Sequence, residues 1–519
     1  MTAPDEQEIR PSATASAEPI GADSAGGSTY PVAPDEGAPL PGPVLASLRS
    51  TLGERLLEHP VDLVAFSYDA TFLARRPAAV ALPVSTAEVS AIVSIADRAG
   101  VRVVTRGAGT SLTGGTVPAA PGELVLDLAR MDRILAIDRE DMTATVEAGV
   151  VTADLHRAVE AEGLFYPPDP ASLAVSTIGG NLACNAGGPR GLKYGVTRDY
   201  ALALEVVLAD GRVTWTGSRT MKNATGYALT QLFVGSEGTL GIITRAVLRL
   251  IARPAAERTV LVTFDHLDAA AALVGRVLAI GVVPATIELV DRVCLDAVEA
   301  YRPLGLPGET EAVLLFRLDG SEASVRSDLE MLEELAKLAG VRELRVAARA
   351  DEADVLWQAR RAVSPALARL RPNKLGEDIV VPRGAVVELV RQIGQISERW
   401  GLPIAVFGHI GDGNLHPNIL FDAADPAEVQ RMLGASADLF AAALTLGGTL
   451  SGEHGIGILK KDFLPLAVDP VALTLMRELK TVFDPRGTLN PGKVLPDGES
   501  PIQPPDSPLV QRSPFGGVA

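Results

Sequence analysis

Three of the six histidines of this 519-residue chain lie in two glycine-rich segments of its last quarter. His409 and His416 belong to the first segment, and Glu453 and His454 stand next to each other in the second. Two neutral imidazoles and one carboxylate form a ligand set that binds a catalytic divalent metal and leaves a position open for substrate. His454, beside the carboxylate, could move a proton near neutral pH. These four residues predict an enzyme.

Length and composition indicate a globular protein of two or more domains. Hydrophobic residues make up 47% of the chain and charged residues 21%, which is ordinary globular composition. The net charge of -17 argues against nucleic acid or an anionic membrane surface as a partner. A small cationic pocket could still bind an anionic substrate, because distant charges are screened.

The cysteines and the N-terminus favour a cytoplasmic protein, which could also be peripheral to the inner face of a membrane. Cys184 and Cys294 give no disulfide framework and lack the spacing of a metal or redox pair. The first residues have no base before Arg10 and no apolar run typical of a signal peptide. Residues 1–43 and 496–519 are rich in small residues, proline and acids, which predicts disordered tails.

The segments that must position these residues alternate between helices and strands. Ser85, with Glu88 three residues later, predicts the start of a helix that ends at Gly100. Further strands are predicted at residues 101–105, 124–128, 144–148 and 202–208, and a helix at 152–161. In the second half, strands are predicted at residues 260–264 and 312–317, and helices at 267–278, 321–339, 351–370 and 470–483. This order suggests a ferredoxin-like antiparallel sheet with helices on one face.

Three glycine-rich segments could hold a phosphate-containing ligand. The segment 106–115 is not a dinucleotide fingerprint, because Leu112 stands where the third glycine is needed. It is not a Walker loop either, because Gly115 stands where the lysine is needed. Its free backbone amides could nevertheless bind an anion, as could those of segments 167–188 and 235–241. One long ligand with a pyrophosphate explains three such loops better than three unrelated turns do.

These segments resemble a known family. The motifs RGAGTSLTGG (106–115), PDPAS (168–172), TIGGN (177–181), NAGG (185–188), KYG (193–195) and GSEGTLG (235–241) are similar to the FAD-binding half of the FAD-linked oxidases with the vanillyl-alcohol-oxidase (PCMH-type) fold. Segments 407–418, 451–457 and 489–493 resemble the C-terminal half. The branch contains the glycolate oxidase FAD subunit, D-lactate dehydrogenase and D-2-hydroxyglutarate dehydrogenase. The resemblance covers about residues 50–495.

The resemblance implies an α+β fold. A PCMH-type (VAO-like) FAD-binding domain is expected at residues 44–254. A ferredoxin-like antiparallel-sheet cap domain with the substrate and metal sites is expected at 255–459. A C-terminal helical segment, 460–495, is expected to pack back on the FAD domain.

The resemblance also implies FAD and the residues that bind it. The segment from Arg106 to Leu112 would wrap the pyrophosphate through backbone amides. The implied cofactor-binding residues are Arg106, Gly107, Ala108, Gly109, Thr110, Ser111, Leu112, Pro168, Asp169, Ser172, Thr177, Gly179, Gly180, Asn181, Gly187, Gly188, Gly241, Ile242, Ile243 and Asn490. Thr110 and Ser111 stand where covalent relatives often have histidine, so we expect noncovalent FAD.

By the same resemblance, His409, His416 and Glu453 bind a divalent metal. The ligand set suits zinc, manganese and iron alike. The metal would chelate the carboxylate and 2-hydroxyl of the substrate. His454 would take the hydroxyl proton while the C2 hydride passes to the flavin.

Two cations and one amide are expected around the substrate. Arg360 and Lys374 would hold the carboxylate, and Asn418 would hydrogen-bond near the metal. Arg360 is followed by Arg361 on a predicted helix, and one of the two would be a solvated surface charge. Lys374 could equally be a cation at a helix C-terminus.

The predicted function is oxidation of a small 2-hydroxy acid of the D-lactate, glycolate or D-2-hydroxyglutarate type to the 2-oxo acid. The electron acceptor would be a quinone, a cytochrome, an electron-transfer flavoprotein or an iron–sulfur subunit. Any iron–sulfur cluster must lie on another polypeptide, because this chain has too few cysteines. Two alternatives stay open: a metal-dependent hydrolase, and an electron-transfer subunit of a larger glycolate oxidase-like complex. A homodimer is compatible with the sequence.

Overall fold

The computed structural model describes residues 38–71, 73–302 and 310–497, except for the side chain of Ala359. Most of both predicted tails, residues 1–37 and 498–519, lies outside the described residues. The first helix begins at Gly42, slightly before the expected start of the FAD domain.

The first half contains three sheets with helices against them, and one of the sheets is the two-stranded pair of Leu164–Phe165 and Ile251–Ala252. Its helices are α1 (Gly42–Leu52), α2 (Pro60–Val64), α3 (Thr86–Ala99), α4 (Thr152–Ala161), α5 (Ile178–Cys184), α6 (Gly191–Tyr194) and α7 (Leu229–Phe233). Its strands are β1 (Leu56–Leu57), β2 (Ala79–Ala81), β3 (Val103–Arg106), β4 (Leu124–Asp127), β5 (Ile134–Asp138), β6 (Thr143–Glu147), β7 (Leu164–Phe165), β8 (Ala201–Val207), β9 (Val213–Gly217), β10 (Ile242–Arg249) and β11 (Ile251–Ala252).

The two larger sheets of this half differ in strand direction. The first has the order β1-β2-β4-β3, with β2 and β3 both parallel to β4. The second is antiparallel, with the order β5-β6-β10-β8-β9. Apolar residues of α1, α3 and both sheets share one core. The glycine-rich loops leave the ends of these strands.

Cap residues at its two ends make α3 begin and end where the sequence predicts. The Ser85 side chain accepts a hydrogen bond from the backbone N–H of Glu88, at 3.3 Å. Gly100 ends the helix in the left-handed region, with φ of 68°. Such caps supply partners for helix-end groups that otherwise have none. The predicted helices at 86–99, 152–161 and 470–483 are therefore confirmed.

The second half is built on one eight-stranded sheet. Its strands are β12 (Ala256–Phe264), β13 (Thr286–Asp291), β14 (Ala312–Gly320), β15 (Val341–Val346), β16 (Asn373–Gly376), β17 (Ile379–Val380), β18 (Ile404–His409) and β19 (Asn414–Phe421). Its helices are α8 (Leu267–Ala279), α9 (Arg292–Tyr301), α10 (Glu322–Lys337), α11 (Ala350–Leu367), α12 (Val386–Trp400) and α13 (Pro426–Thr445). The helices α14 (Leu464–Ala467) and α15 (Pro470–Phe483) follow.

The predicted ferredoxin-like antiparallel sheet is confirmed, but it is only part of a larger one. Strands β12 to β15 pair in the order β15-β12-β14-β13, all antiparallel. The sheet then continues through β18, β19 and β16. The prediction that helices cover one face is wrong. Helices α8, α10, α12 and α13 pack on one face, whereas α9 and α11 pack on the other.

Strand alternation places the predicted chemistry on the face covered by α9 and α11. Residues directly across two paired strands share a face, as do every second residues along one strand. Phe407 is paired with His416, and Ala405 with Asn418. His409 therefore shares this face with His416. No helix within the described residues is long and apolar enough to cross a membrane.

Candidate active site

Three side chains from distant parts of the chain meet in a compact triangle. The Nε2 atoms of His409 and His416 are 3.4 Å apart. Each lies 3.4 Å from Oε1 of Glu453. The two histidine rings are nearly perpendicular, with centroids 5.1 Å apart. The structure therefore brings together the three residues predicted as metal ligands.

The hairpin of β18 and β19 positions the two histidines. A four-residue turn, 410–413, joins the strands. Gly408 has φ of 155°, and a Cβ there would lie 2.6 Å from the backbone oxygen of Asn414. Only glycine permits this close approach of the two strands. The pairing then sets His409 and His416 diagonally across the hairpin on one face.

Buried Asp378 holds the loop that carries Glu453 and His454. Its Oδ2 accepts from the Ser451 hydroxyl at 2.7 Å and from the backbone N–H groups of residues 452, 453 and 454, each at 2.9 Å. Its Oδ1 accepts from Asn414 at 2.7 Å, which ties the loop to the hairpin. Burial alone would raise the pKa of Asp378, but His454, Lys460 and the backbone donors hold it well below its ordinary value.

We expect Asp378→Asn to lower the free energy of unfolding by about 2–4 kcal/mol, because an amide cannot accept every one of these hydrogen bonds. The loop would also shift, so the reaction that the resemblance implies, reduction of a flavin by substrate, should become slower as well. Denaturant unfolding and stopped-flow reduction measure the two effects. Asp438→Asn is the matched control, because Asp438 is buried on the opposite side of the sheet and accepts from Arg399 and Trp400. The Asp438→Asn variant should be less stable but should keep its reaction rate. An equal loss of rate in both variants would contradict a local role of Asp378.

His454 stands beside the triangle as a neutral base. Its ring is stacked on that of His416, with centroids 5.3 Å apart. Its Nε2 is 3.9 Å from Glu453 Oε1, and its Nδ1 has no hydrogen-bond partner among the described residues. Burial lowers the pKa of His454 to about 4. An uncharged imidazole next to the triangle can accept a proton.

The triangle fits a divalent metal. Bonds of 2.0–2.1 Å in tetrahedral geometry separate ligand atoms by about 3.3–3.4 Å, and the observed distances are all 3.4 Å. Nδ1 of His409 contacts the carboxylate of Glu288, the kind of outer partner that orients a metal-binding imidazole. Asp378, His416 and His454 form a second group of metal-ligand type. It fits less well, because the hydrogen bonds described above already engage both oxygens of Asp378.

The predicted substrate-binding residues lie on the same face but differ in their contacts. Arg360 donates to Glu288 from Nε at 2.7 Å and from Nη2 at 2.6 Å, and its guanidinium lies 4.5 Å from the ring centroid of Phe407. Lys374 donates to the Ser364 hydroxyl at 2.6 Å. Arg360 therefore has a carboxylate partner within the protein.

Asn418, the remaining predicted residue of this group, forms a hydrogen bond within the β18–β19 hairpin. Asn418 donates from Nδ2 to the backbone oxygen of His416, at 2.8 Å. The structure thus places Asn418 beside a predicted ligand. Its oxygen faces the position of Gly376, where a Cβ would lie 3.0 Å away.

A cleft of about 630 Å³ opens among the glycine-rich loops. Nine of the predicted cofactor residues line it: Arg106, Gly107, Ser111, Thr177, Gly179, Gly180, Gly241, Ile242 and Ile243. The other eleven do not line this cleft: Ala108, Gly109, Thr110, Leu112, Pro168, Asp169, Ser172, Asn181, Gly187, Gly188 and Asn490. Among the latter, Leu112 is exposed, and Asp169 forms an ion pair with Arg190 at 3.2 Å.

Side chains around the cleft hold its backbone in place. Arg106, which lines the cleft, donates from its guanidinium to the backbone oxygen of Tyr68 at 2.8 Å. The Thr177 hydroxyl caps α5 by accepting from the N–H of Gly180 at 3.2 Å. Asn490 donates to the backbone oxygens of Gly115 and Glu237, at 3.0 and 2.7 Å. The loops are thus fixed as an array of backbone N–H groups suited to a phosphate.

Two contacts join the cleft to the triangle. Glu237, which lines the cleft, accepts from the backbone N–H groups of Ile456 and Gly457 at 2.7 and 2.9 Å. A Cβ at Gly187 would lie 2.8 Å from Oε2 of Glu453, so the loop of the first half lies directly against the cluster. The cleft and the triangle are therefore joined through Glu237 and the segment 451–457.

Sequence reasoning missed Asp378 and Glu237 as site residues. Both are buried carboxylates that accept backbone N–H groups of the segment 451–457. The signal for Asp378 was an acidic pair, Glu377 and Asp378, directly before the apolar run 379–381. Glu237 interrupts a glycine-rich loop that otherwise contains only small residues and leucine.

Two family descriptions match this chain. "FAD linked oxidases, C-terminal domain" matches residues 253–494, and "FAD binding domain" matches residues 77–217. Glycolate oxidase subunit GlcD of Bacillus subtilis (strain 168) is 46% identical over 432 residues, 83% of this chain and 92% of that protein. D-lactate dehydrogenase of Anaerostipes hadrus is 34% identical, over 81% and 90%.

Solved structures give the same fold at low sequence identity. A p-cresol methylhydroxylase with substrate bound has a TM-score of 0.73 at 18% identity, covering 87% of this chain and 96% of that chain. An alkyldihydroxyacetonephosphate synthase has a TM-score of 0.70 at 19% identity, covering 89% and 87%. The expected VAO-like architecture is confirmed.

Proposed function

Because this chain belongs to the FAD-linked oxidase family, we propose that it oxidises a small D-2-hydroxy acid or glycolate to the 2-oxo acid. The contact between the cofactor cleft and the triangle of His409, His416 and Glu453 carries the proposal. Because of this contact, one substrate could reach both a hydride acceptor, the FAD in the cleft, and a proton acceptor, His454. The relatives are a glycolate oxidase subunit and a D-lactate dehydrogenase, which supports this substrate class. A metal-dependent hydrolase is not favoured, because it would leave the FAD-binding domain without a role.

FAD is held noncovalently in this proposal. Thr110 and Ser111 are poor nucleophiles, and Cys184 lines the cleft. Burial raises the pKa of the Cys184 thiol to about 12, so it stays protonated. Backbone N–H groups around Gly107, Gly179 and Gly180 would face the pyrophosphate. Bound FAD supplies the hydride acceptor.

His409, His416 and Glu453 would hold a divalent metal, which would act as a Lewis acid on the substrate oxygens. Burial opposes ionisation of Glu453, but His409 and His416 hold its pKa below the ordinary value, so the group is a carboxylate ligand. Glu288 orients His409 through Nδ1 and leaves Nε2 free. The same set suits zinc, manganese and iron.

The side chains of this chain supply binding and proton transfer. His454 accepts the proton of the 2-hydroxyl, and Asp378 positions it through the backbone of the loop. Lys374 and Arg360 hold the substrate carboxylate; Arg360 is oriented for this by its ion pair with Glu288. The hydroxyl proton would go to His454, the C2 hydrogen would leave with two electrons to the FAD bound in the cleft, and the C–O bond would become a carbonyl.

The electrons then pass to a separate acceptor. The relatives from Bacillus subtilis and Escherichia coli (strain K12) are both described as glycolate oxidase subunit GlcD. This chain has two cysteines, which cannot ligate an iron–sulfur cluster. We therefore place the acceptor, an iron–sulfur subunit, cytochrome, quinone or electron-transfer flavoprotein, outside this chain.

An anaerobic visible spectrum tests the function. The purified protein should show flavin bands that bleach with glycolate, D-lactate or D-2-hydroxyglutarate and not with L-lactate. Substoichiometric substrate should release an equal amount of 2-oxo acid. A protein that neither contains nor takes up FAD would overturn the proposal, as would bleaching by the L acid alone.

A further inference from the structure

Arg317 is a cation near the proposed active site that has no acidic partner among the described residues. It lies on β14 and is half-buried, and it has neither a hydrogen bond nor an ion pair within the described chain. Its Nε is fully enclosed and faces no acceptor there. Burial lowers the pKa of Arg317, but an arginine remains charged at neutral pH. A charge in this position favours an anionic ligand.

Three carboxylates act on Arg317: Glu257 is exposed and beyond ion-pair distance, and the other two, Asp319 and Asp169, are already engaged. Asp319 accepts from Lys193 and Tyr194, at 2.5 and 2.8 Å. Asp169 forms its ion pair with Arg190. Neither carboxylate is within ion-pair distance of Arg317, and Arg190 adds positive charge near it.

The guanidinium of Arg317 is held in a fixed orientation. It lies 4.4 Å from the ring centroid of Trp357, and the Trp357 indole donates to Thr259 at 3.0 Å. Directly across the strand pair, the hydroxyl of Thr286 also lacks a partner among the described residues. Stacking on an aromatic ring leaves the edge of a guanidinium free to bind a carboxylate through two hydrogen bonds.

Arg317 and the triangle lie on the same face of the eight-stranded sheet. Arg317 is paired with Thr286, and Glu288, two residues further along β13, contacts His409. His409 and Arg317 are thus two strands apart and offset by two residues along the strands, which places their backbones about 12 Å from each other. A four- or five-carbon dicarboxylic acid that is hydrogen-bonded at one end and bound at the triangle at the other spans a separation of this order.

We infer that Arg317 binds the distal carboxylate of a dicarboxylic 2-hydroxy acid whose reacting end lies at His409, His416 and Glu453. This inference rests on the proposed function and narrows its substrate class. D-2-hydroxyglutarate and D-malate fit the arrangement, whereas glycolate and D-lactate would leave Arg317 without a partner. Wild-type protein should therefore prefer the dicarboxylic acids by kcat/KM.

Arg317→Gln tests the inference. It should lower kcat/KM for D-2-hydroxyglutarate by about 100-fold, because a charged hydrogen-bonded pair is lost. The value for D-lactate should stay within about twofold, and FAD content should not change. Arg317→Lys should restore part of the loss. Arg258→Gln is the matched control, since it removes the same charge from the exposed Arg258 of the neighbouring strand. Equal losses for both substrates, or none, would overturn the inference.

A binding measurement needs no variant and no turnover. Titration of the oxidised holoprotein with glutarate should perturb the flavin spectrum, with a Kd at least about tenfold below that of valerate, which has the same chain length and one carboxylate. Equal affinities would overturn the inference. Bleaching by D-lactate together with equal affinities leaves the proposed function standing. Tight glutarate binding without bleaching by any 2-hydroxy acid would overturn the proposed function alone.

Discussion

Substitution of His416 by alanine is expected to lower the rate of flavin reduction by more than about 100-fold. Removal of a residue that only hydrogen-bonds to a metal ligand lowers activity by about 10- to 100-fold, so loss of a ligand should have a larger effect. The triangle would keep only His409 and Glu453, and two ligands bind a divalent metal poorly. FAD should remain bound, because the cleft is formed by other residues. Metal analysis, the flavin spectrum and stopped-flow reduction by substrate measure the three quantities.

The matched control is His266→Ala, because the side chain of His266 is 81% exposed and distant from the cleft. It should leave the metal content and the rate unchanged. Chelation of the wild-type protein should reproduce the His416→Ala phenotype, and added zinc or manganese should reverse it. Full activity of a metal-free wild-type protein would contradict the assigned role of the triangle.

Substitution of His454 by glutamine should lower the rate of flavin reduction by about 10³-fold, within the range for loss of a general base. Glutamine fills similar space but cannot take up the hydroxyl proton. Because His454 is outside the triangle, the metal content should not change. This separates the variant from His416→Ala, which should lose both metal and rate.

Rescue by a small base distinguishes proton transfer from a structural role. Imidazole added to a His454→Ala variant, which leaves the space of the ring open, should raise its rate in proportion to concentration, with no effect on the wild-type protein. Loss of metal from His454→Gln would assign His454 to the ligands instead. A rate within about tenfold of wild type would rule out His454 as the base.

The sequence was informative where chemistry and local turns coincide. Glycine next to histidine at 408–416 predicted a site there, and the register of the β18–β19 hairpin, which was not predicted, brings His409 and His416 together. Ser85 and Gly100 likewise define a helix through bonds within a few residues. Such signals are short-range, so they can be read from neighbouring residues alone.

Long-range partners could not be predicted in the same way. Asp378 accepts from residues more than 70 positions away, and Glu237 from residues about 220 positions away. Arg360 looked like a free cation because nothing local indicates that β13 brings Glu288 against it. Helix α9 was not predicted, and α11 was expected on the same face as α8 and α10, since helical periodicity shows that one side is apolar but not which sheet face it covers.

The contact between β3 and the segment after α15 affects how the protein folds during its synthesis. Val103 pairs with Leu489 in an isolated parallel bridge, and Leu489 is fully buried in the core of the first half. Asn490 bonds to Gly115, 375 positions earlier. During synthesis, which releases the N-terminal half first, this core lacks a piece until the ribosome has made nearly the whole chain. The nascent FAD domain would therefore expose the part of its core that Leu489 covers, and chaperones could bind there. Truncation just before Leu489 should yield a protein that aggregates rather than a smaller flavoprotein.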